Sequence, residues 1–237
     1  MDDTTVVVTG GTDGIGRAVV EMFADAGARV VVGARDADEV DAIADELGTN
    51  VTGLRADVRD EFDVERLVET AARFGPGGID VVVPCVRTSH GTPGDTPLPA
   101  ESYAAFDDTV RTNARGVFVT IKEALAHMPS DGRVVVPIDG RATDLAPSDD
   151  DNQPNALGSY GVSEAATWAL IRGFATDCEQ IVGAVNPEVA TIGDSEDDRG
   201  FADAASLIHW TVTALSPDDL DGAVVSAQDW ESARAEQ

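Results

Sequence analysis

Seven short runs of β-branched residues alternate with segments of helical composition, and this alternation constrains the fold more than any other feature of the chain. Several runs are entirely apolar, such as the consecutive valines at 6–8, 30–32 and 81–83. Runs of this kind are typical of strands that are buried on both faces. Because alternating strands and helices form βαβ units, we predict an α/β, doubly wound, seven-stranded parallel sheet with helices on both faces. Residues 1–237 are expected to form a single domain.

The same pattern gives the boundaries of the elements. The predicted strands are Thr4–Val8, Arg29–Val32, Val51–Leu54, Ile79–Val83, Arg133–Ile138, Ile181–Val185 and Ala223–Ala227. The predicted helices are Gly14–Ala26, Ala37–Leu47, Glu61–Phe74, Ser102–Met128 (expected to contain two helices), Ser159–Cys178 and Ala202–Leu215.

A glycine-rich turn joins the first strand to the first helix, in the stretch TGGTDGIGRAVV. Gly10 permits a tight turn, Gly14 lets the backbone approach a pyrophosphate, and Gly16 lets the helix pack closely on the strand. The free N–H groups at the start of a helix bind phosphate oxygens. This motif in the first strand–helix turn predicts a Rossmann-like, dinucleotide-binding fold, in which Thr12, Asp13 and Ile15 complete the phosphate-binding loop.

The form of this turn, T-G-x-x-x-G-I-G, resembles that of the short-chain dehydrogenase/reductase family. The resemblance runs from Val6 to about Ala227 and includes the stretches RADVRD, RTNARGVF, SYGVSEAATWAL and VNPEVATI. It implies that Asp57 hydrogen-bonds the adenine amino group and that Val58 flanks the adenine ring. It also implies that Asn113 holds a water molecule in a proton relay and that Tyr160 is the catalytic acid/base.

The end of the second strand bears on the choice of cofactor. Sites that prefer NAD carry an acidic residue there, which accepts a hydrogen bond from the ribose 2′-OH, but this chain has Ala34 followed by Arg35. A guanidinium binds a phosphate group in bidentate fashion, so NADP(H) is favoured over NAD(H). Two points stand against this prediction: Arg35 could simply pair with a surface acid, and NADP-preferring relatives often place a basic residue where Asp13 stands.

The chain departs from the family at the positions that carry the chemistry. The family's catalytic lysine lies four residues after the tyrosine, and Glu164 stands there; Asp139 stands at the position of the substrate-polarising serine. A carboxylate close to a tyrosine disfavours the phenolate, and an ionised aspartate cannot donate a hydrogen bond. Two further departures are Pro84–Arg87 in place of the family's N-N-A-G and Glu188 in place of a glycine.

These residues predict an NADP(H)-dependent short-chain oxidoreductase that interconverts small carbonyl and alcohol compounds, with a degraded or altered Ser-Tyr-Lys site. The alternative is a catalytically silent dinucleotide-binding sensor or partner subunit, and a remnant that only oligomerises is a third possibility. Other groups could reach the site, namely Ser148 or Ser159 in place of the serine and His90 as an acid/base. Asp139, Tyr160 and Glu164 could also converge on a hard cation, although no metal-binding motif is present.

The charge of the chain bears on the salt concentration in which it works and on the ligands it can bind. The net charge is −28, with 44 acidic and 16 basic residues, and Lys122 is the only lysine. The dispersed carboxylates resemble those of proteins from salt-loving archaea, in which salt screens self-repulsion; an acidic surface for a basic partner is the alternative. With no basic patch, nucleic acid is not expected as a ligand.

No apolar run has the length of a membrane span, and the N-terminal residues are acidic where a signal peptide is basic. We therefore expect no membrane association and a cytoplasmic location. The family resemblance further implies a homodimer or homotetramer that assembles through two long helices, about Arg111–Met128 and Ser159–Cys178.

Overall fold

All seven predicted strands are present, and they form one parallel sheet in the order β3-β2-β1-β4-β5-β6-β7. The computed structural model describes residues 1–93, 95–142, 157–187 and 198–235. The strands are β1 Thr5–Thr9, β2 Arg29–Ala34, β3 Val51–Arg55, β4 Val81–Pro84, β5 Arg133–Pro137, β6 Ile181–Asn186 and β7 Val224–Ser226. The prediction of a Rossmann-like, doubly wound parallel sheet is confirmed.

Helices cover both faces of this sheet, as predicted. They are α1 Gly14–Asp25, α2 Ala37–Leu47, α3 Glu61–Phe74, α4 Tyr103–Val110, α5 Gly116–Leu125, α6 Gly158–Asp177, α7 Asp198–Thr213, α8 Pro217–Leu220 and α9 Ala227–Ala235. Successive residues of a strand point to opposite faces. Val6 and Val8 therefore pack with α1, α2 and α7, whereas Val7 packs with α3, α5 and α6.

The segment 102–128 contains two helices, α4 and α5, as expected, and no loop separates them. A π-helical turn, Arg111–Arg115, joins α4 directly to α5. Such turns add one residue to a helix and are frequent at functional sites. The turn contains Asn113, one of the predicted site residues.

The order of the strands places a crevice at the carboxyl edge of the sheet. The chain proceeds outward from β1 to β3 and then returns to β4 on the other side of β1. Ligands bind at this switch point in open α/β sheets, because the loops of the two halves diverge there. Along the adjoining pair, β4 and β5 match only Val81 with Arg133 and Val82 with Val134, so the two strands separate towards this edge.

Candidate functional site

A cleft of about 810 Å³ lies at the switch point. Its lining follows the carboxyl ends of neighbouring strands, from β3 through β2 and β1 to β4 and β5. The lining residues are Gly10, Thr12, Asp13, Gly14, Ile15, Gly16, Ala34, Arg35, Asp36, Glu39, Ala56, Asp57, Val58, Cys85, Val86, Arg87, Thr112, Pro137 and Phe201. All nine predicted cofactor-binding residues are among them. None of the four predicted catalytic residues is.

The glycine turn forms the central part of this cleft. Gly10 has a φ of +71°, a backbone angle that residues other than glycine rarely adopt. A Cβ on Gly16 would lie 1.9 Å from the Gly10 carbonyl oxygen, so the turn and helix α1 can approach this closely only because residue 16 is a glycine. Asp13 precedes α1 and makes no side-chain capping bond. The Asp13 side chain therefore leaves the N–H groups of the first turn of α1 unoccupied.

The β3 end of the cleft is organised by a chain of ion pairs. The Arg59 guanidinium donates to Asp57, with Nη2 2.7 Å from Oδ2, and its Nη1 donates to Asp108 at 2.9 Å. These hydrogen bonds from Arg59 hold the pKa of Asp57 below its ordinary value. His90 Nε2 lies 3.2 Å from the other Asp108 oxygen. His90 therefore belongs to this network through Asp108 of α4.

Arg35 lies at the end of β2 with an exposed side chain. In the described part of the chain, no carboxylate oxygen lies within 4 Å of its guanidinium. The alternative in which Arg35 pairs with a surface acid is therefore not what the structure shows. Its positive charge is available to a ligand in the cleft.

Asn113 lies in the π-helical turn and is completely buried. Its amide oxygen accepts from Thr88 N–H at 2.8 Å, and its amide nitrogen donates to Thr88 O and to Ser163 Oγ, each at 2.9 Å. Both N–H groups of the amide thus have protein partners. The side chain ties the loop after β4 to α6, and no amide hydrogen remains for a relay water.

Tyr160 is in the first turn of α6, and only 2% of it is exposed. The start of this helix is held by Glu101, whose carboxylate accepts from Ser159 N–H at 2.9 Å and from the Ser159 hydroxyl. Leu157 packs against the tyrosine ring. In this structure the Ser159 hydroxyl therefore donates to Glu101.

Glu164 lies one turn after Tyr160 and is fully buried, and its partner is Arg87 at the end of β4. Arg87 Nε is 2.7 Å from Glu164 Oε1, and the side chains are 4% and 0% exposed. The N–H direction does not align as a hydrogen bond requires, so the contact is a close ion pair. The other oxygen, Oε2, accepts from Asp139 N–H at 2.9 Å. The predicted effect of Glu164 on a phenolate assumes an unpaired carboxylate, whereas Arg87 compensates its charge.

Asp139 is also paired with an arginine. The Arg141 guanidinium holds both oxygens of Asp139, with Nη2 2.6 Å from Oδ2 and Nε 3.0 Å from Oδ1. Hydrogen bonding to Asp139 raises the pKa of Arg141, and a Tyr160 phenolate would act in the same direction. Arg141 therefore lies in electrostatic range of Tyr160. Both acidic residues at the family's catalytic positions thus have an arginine beside them.

Arg87 and Arg141 are the site residues that sequence reasoning missed. The available signal was that each follows a buried strand within a few residues, at the carboxyl edge. Phe201 was missed as well; its ring comes within 3.8 Å of a Cβ built on Gly14. Glu188 and Ser148 lie outside the described residues. Within the described ranges, no three His, Cys, Asp or Glu side chains are placed to hold a metal ion, and no helix is long and apolar enough to cross a membrane.

Comparison with known proteins agrees with this geometry. The family model described as short chain dehydrogenase matches residues 4–190. L-fucose dehydrogenase of Mus musculus is 33% identical over 174 residues, which cover 72% of this chain and 55% of that protein. Cis-2,3-dihydrobiphenyl-2,3-diol dehydrogenase of Paraburkholderia xenovorans is 35% identical over 136 residues, which cover 56% and 48%. The matches therefore span about half the length of these curated relatives.

Solved structures share the whole architecture. A dehydrogenase/reductase from Sinorhizobium meliloti superimposes with a TM-score of 0.77 at 26% identity, over 95% of this chain and 94% of that one. A short chain dehydrogenase from Burkholderia cenocepacia, crystallised in complex with NADP, gives 0.76 at 23% identity, over 95% and 96%. The glycine turn, the sheet order and the family match lead to one conclusion: the chain belongs to the short-chain dehydrogenase/reductase family.

Proposed function

We propose that the chain binds NADP(H) in the cleft and is an oxidoreductase that interconverts a small carbonyl compound and its alcohol. The observation that carries this proposal is the phosphate-binding turn, in which Gly16 permits the close approach of α1 to Gly10. The exposed Arg35 at the end of β2 adds a site for the 2′-phosphate that distinguishes NADP from NAD.

The residues that line the cleft fit the parts of this cofactor in order. The N–H groups at the start of α1 would hold the pyrophosphate, since a helix N-terminus attracts anions. Asp57 and Val58 would hold the adenine, with Asp57 already fixed by Arg59. A volume of about 810 Å³ lies within the usual range of ligand pockets.

Tyr160 is the residue that we assign to proton exchange with the substrate oxygen. The cofactor, when bound, supplies the hydride chemistry, and the protein must supply the proton. A tyrosine ordinarily has a pKa near 10, so it serves as an acid/base most readily beside a positive charge. Arg141, held by Asp139, has the required sign. Its side chain is 61% exposed, so solvent weakens its influence relative to that of a buried lysine.

A second candidate, a silent dinucleotide-binding protein, is favoured by one specific observation. Tyr160 is almost completely buried, and the cleft lining does not include it. The Glu164 carboxylate forms an ion pair with Arg87 and not with a ligand. In this candidate the cleft binds NADP(H) as a signal or as part of a larger assembly, and no proton is exchanged.

Binding and turnover separate these candidates when both are measured in 2 M KCl. We expect NADPH to bind more tightly than NADH by calorimetric titration, and the preference to vanish in Arg35→Ala. Arg172→Ala, which removes an arginine from the exposed side of α6, is the matched control. Turnover against a panel of aldehydes and ketones, abolished in Tyr160→Phe, supports the oxidoreductase. Binding without turnover supports the silent protein, and failure of both nucleotides to bind refutes the two together.

We further propose that the chain is adapted to high salt, as its acidic surface suggests. The cleft lining contains four carboxylates, of Asp13, Asp36, Glu39 and Asp57, but only two guanidiniums. A phosphate-bearing cofactor must therefore approach against a net negative charge, which salt screens. NADPH affinity is expected to rise between 0.1 and 2 M KCl, and a falling affinity would contradict this proposal. In keeping with this adaptation to high salt, we propose that the chain is a divergent family member from a salt-loving archaeon. We also propose a cytoplasmic location.

Assembly through the long helices remains a proposal that the surface supports. Phe118 of α5 and Val162 of α6 are each 39% exposed, and the Phe118 ring lies 5.9 Å from that of Phe174 on α6. Apolar side chains exposed on two adjacent helices are typical of an interface. Light scattering in 2 M KCl should give a dimer or tetramer that Phe118→Glu converts to a monomer; an unchanged mass would place the interface elsewhere.

A further inference from the structure

The far end of the cleft is formed by β4 and β5. Adenosine-side residues lie at β3 and β2, and the phosphate-binding turn follows β1. On the opposite side of β1, the lining continues with Cys85, Val86 and Arg87 after β4 and with Pro137 at the end of β5. Any part of a dinucleotide that extends beyond its phosphates in this direction therefore meets the residues after β4.

Arg87 is held in this position by its neighbour Val86, by β5 and by α6. Its Nη1 donates to Val86 O at 2.8 Å and its Nη2 donates to Pro137 O at 2.7 Å. Its Nε faces Glu164 Oε1 at 2.7 Å. The guanidinium thus occupies the gap that opens where β4 and β5 stop pairing. Because each terminal nitrogen carries two hydrogens, the contacts to the described residues leave one N–H on each for a further acceptor.

The ion pair has a defined direction relative to the cleft. Arg87 is part of the lining, whereas Glu164 is not and has no exposed surface. Of this ion pair, only Arg87 therefore borders the cleft, and 4% of its side chain is exposed. Thr112, which also lines this end, offers no charge, and Cys85 is no nucleophile here because burial raises the pKa of its thiol to about 12.

We propose that Arg87 is a second cofactor-contacting cation, besides Arg35, and that it donates hydrogen bonds to the ribose on the nicotinamide side of NADP(H). The proposal rests on the proposed function, because it requires that the cleft hold a dinucleotide. In this chain the cation enters from the end of β4 and not from helix α6. Glu164 is its positioning residue, since the carboxylate holds Nε while the two terminal nitrogens donate to the carbonyl groups of Val86 and Pro137.

Two ligands distinguish this role from a purely structural one. NADPH carries both riboses, whereas adenosine 2′,5′-bisphosphate carries the adenosine half and no second ribose. Arg87→Gln should lower the affinity for NADPH about tenfold or more, the effect of losing a charged hydrogen bond, and leave the affinity for the bisphosphate within about twofold. Arg172→Gln removes the same charge from the outer side of α6 and should change neither.

The single variant leaves a buried carboxylate unpaired, so a second variant keeps the test decisive. Arg87→Gln with Glu164→Gln has no unpaired buried charge and the same net charge as the wild type. Calorimetric titration of the double variant in 2 M KCl should show the same selective loss of NADPH affinity. In thermal unfolding, the double variant should have a higher melting temperature than Arg87→Gln alone. Equal losses for both ligands, or no loss for either, would overturn the assignment of Arg87. Wild-type protein that binds neither ligand would instead overturn the proposed function.

Discussion

Restoring the family's lysine with Glu164→Lys is expected to damage this protein rather than repair it. The new ammonium would lie against the Arg87 guanidinium, in a place where both side chains are almost completely buried. The Asp139 N–H would also lose its acceptor. Breaking a buried ion pair by removing one partner costs about 3–5 kcal/mol, before any repulsion is added. Since a domain is stable by only about 5–15 kcal/mol, the loss is large.

The size of this effect translates into a measurable shift. A chain of 237 residues loses about 2–4 °C of melting temperature per kcal/mol, so Glu164→Lys should melt roughly 6–20 °C below the wild type. Urea unfolding in 2 M KCl, followed by circular dichroism, gives the free energies, because urea is uncharged and leaves the ionic strength unchanged.

A double-mutant cycle measures the interaction energy between Arg87 and Glu164. Arg87→Gln and Glu164→Gln should each lower the free energy of unfolding. The loss in the double variant should be smaller than the sum of the two single losses, by about 1–3 kcal/mol. Strict additivity, or a Glu164→Lys variant as stable as the wild type, would refute the pair as a buried and interacting unit.

Two further predictions concern the cleft. Gly16→Ala places a methyl group 1.9 Å from the Gly10 carbonyl oxygen; we expect loss of NADPH binding and about 1–3 kcal/mol of destabilisation, whereas Gly77→Ala, which meets no atom within 4 Å, should bind normally. Arg59 lowers the pKa of Asp57 in the folded state, so this carboxylate stabilises the fold above the ordinary aspartate pKa of about 3.9, and that stabilisation is lost as the pH falls through the lower, folded value. Asp57→Asn should therefore flatten the decline of unfolding free energy with acid, and an unchanged slope would contradict the pairing with Arg59.

The sheet could be predicted from the sequence because its signal is local. Valine runs such as 6–8 and 134–136 are apolar on both faces, and only a strand between two helical layers uses such a run. The end of β7 was predicted less well, since Ala227 begins α9 and does not extend the strand. Ser226 Oγ accepts from Asp229 N–H at 3.2 Å, while the Asp229 carboxylate accepts from Ser226 N–H at 2.8 Å. This reciprocal cap starts the helix, and its S-x-x-D pattern is visible in the sequence.

The cofactor loop was also predictable, because its glycines perform steric tasks that depend on neighbours within a few residues. The partners of Glu164 and Asp139 were not. A buried carboxylate requires a cation, but the sequence offers 16 basic residues and does not indicate which of them will be near. Arg87 lies 77 positions before Glu164, and only the adjacency of β4, β5 and α6 brings the two together.

The way Glu101 holds Ser159 has a consequence for how this part of the molecule opens. The first amide groups of a helix have no partner within the helix itself, and here one of them depends on a residue 58 positions earlier. Thr96 O also lies 3.1 Å from a Cβ built on Gly158. The first turn of α6 is bonded to the 96–101 segment, so the two are expected to unfold as one cooperative unit. The amide proton of Ser159 should exchange with deuterium at the rate at which that segment detaches, which makes this proton a reporter of local opening beside the tyrosine.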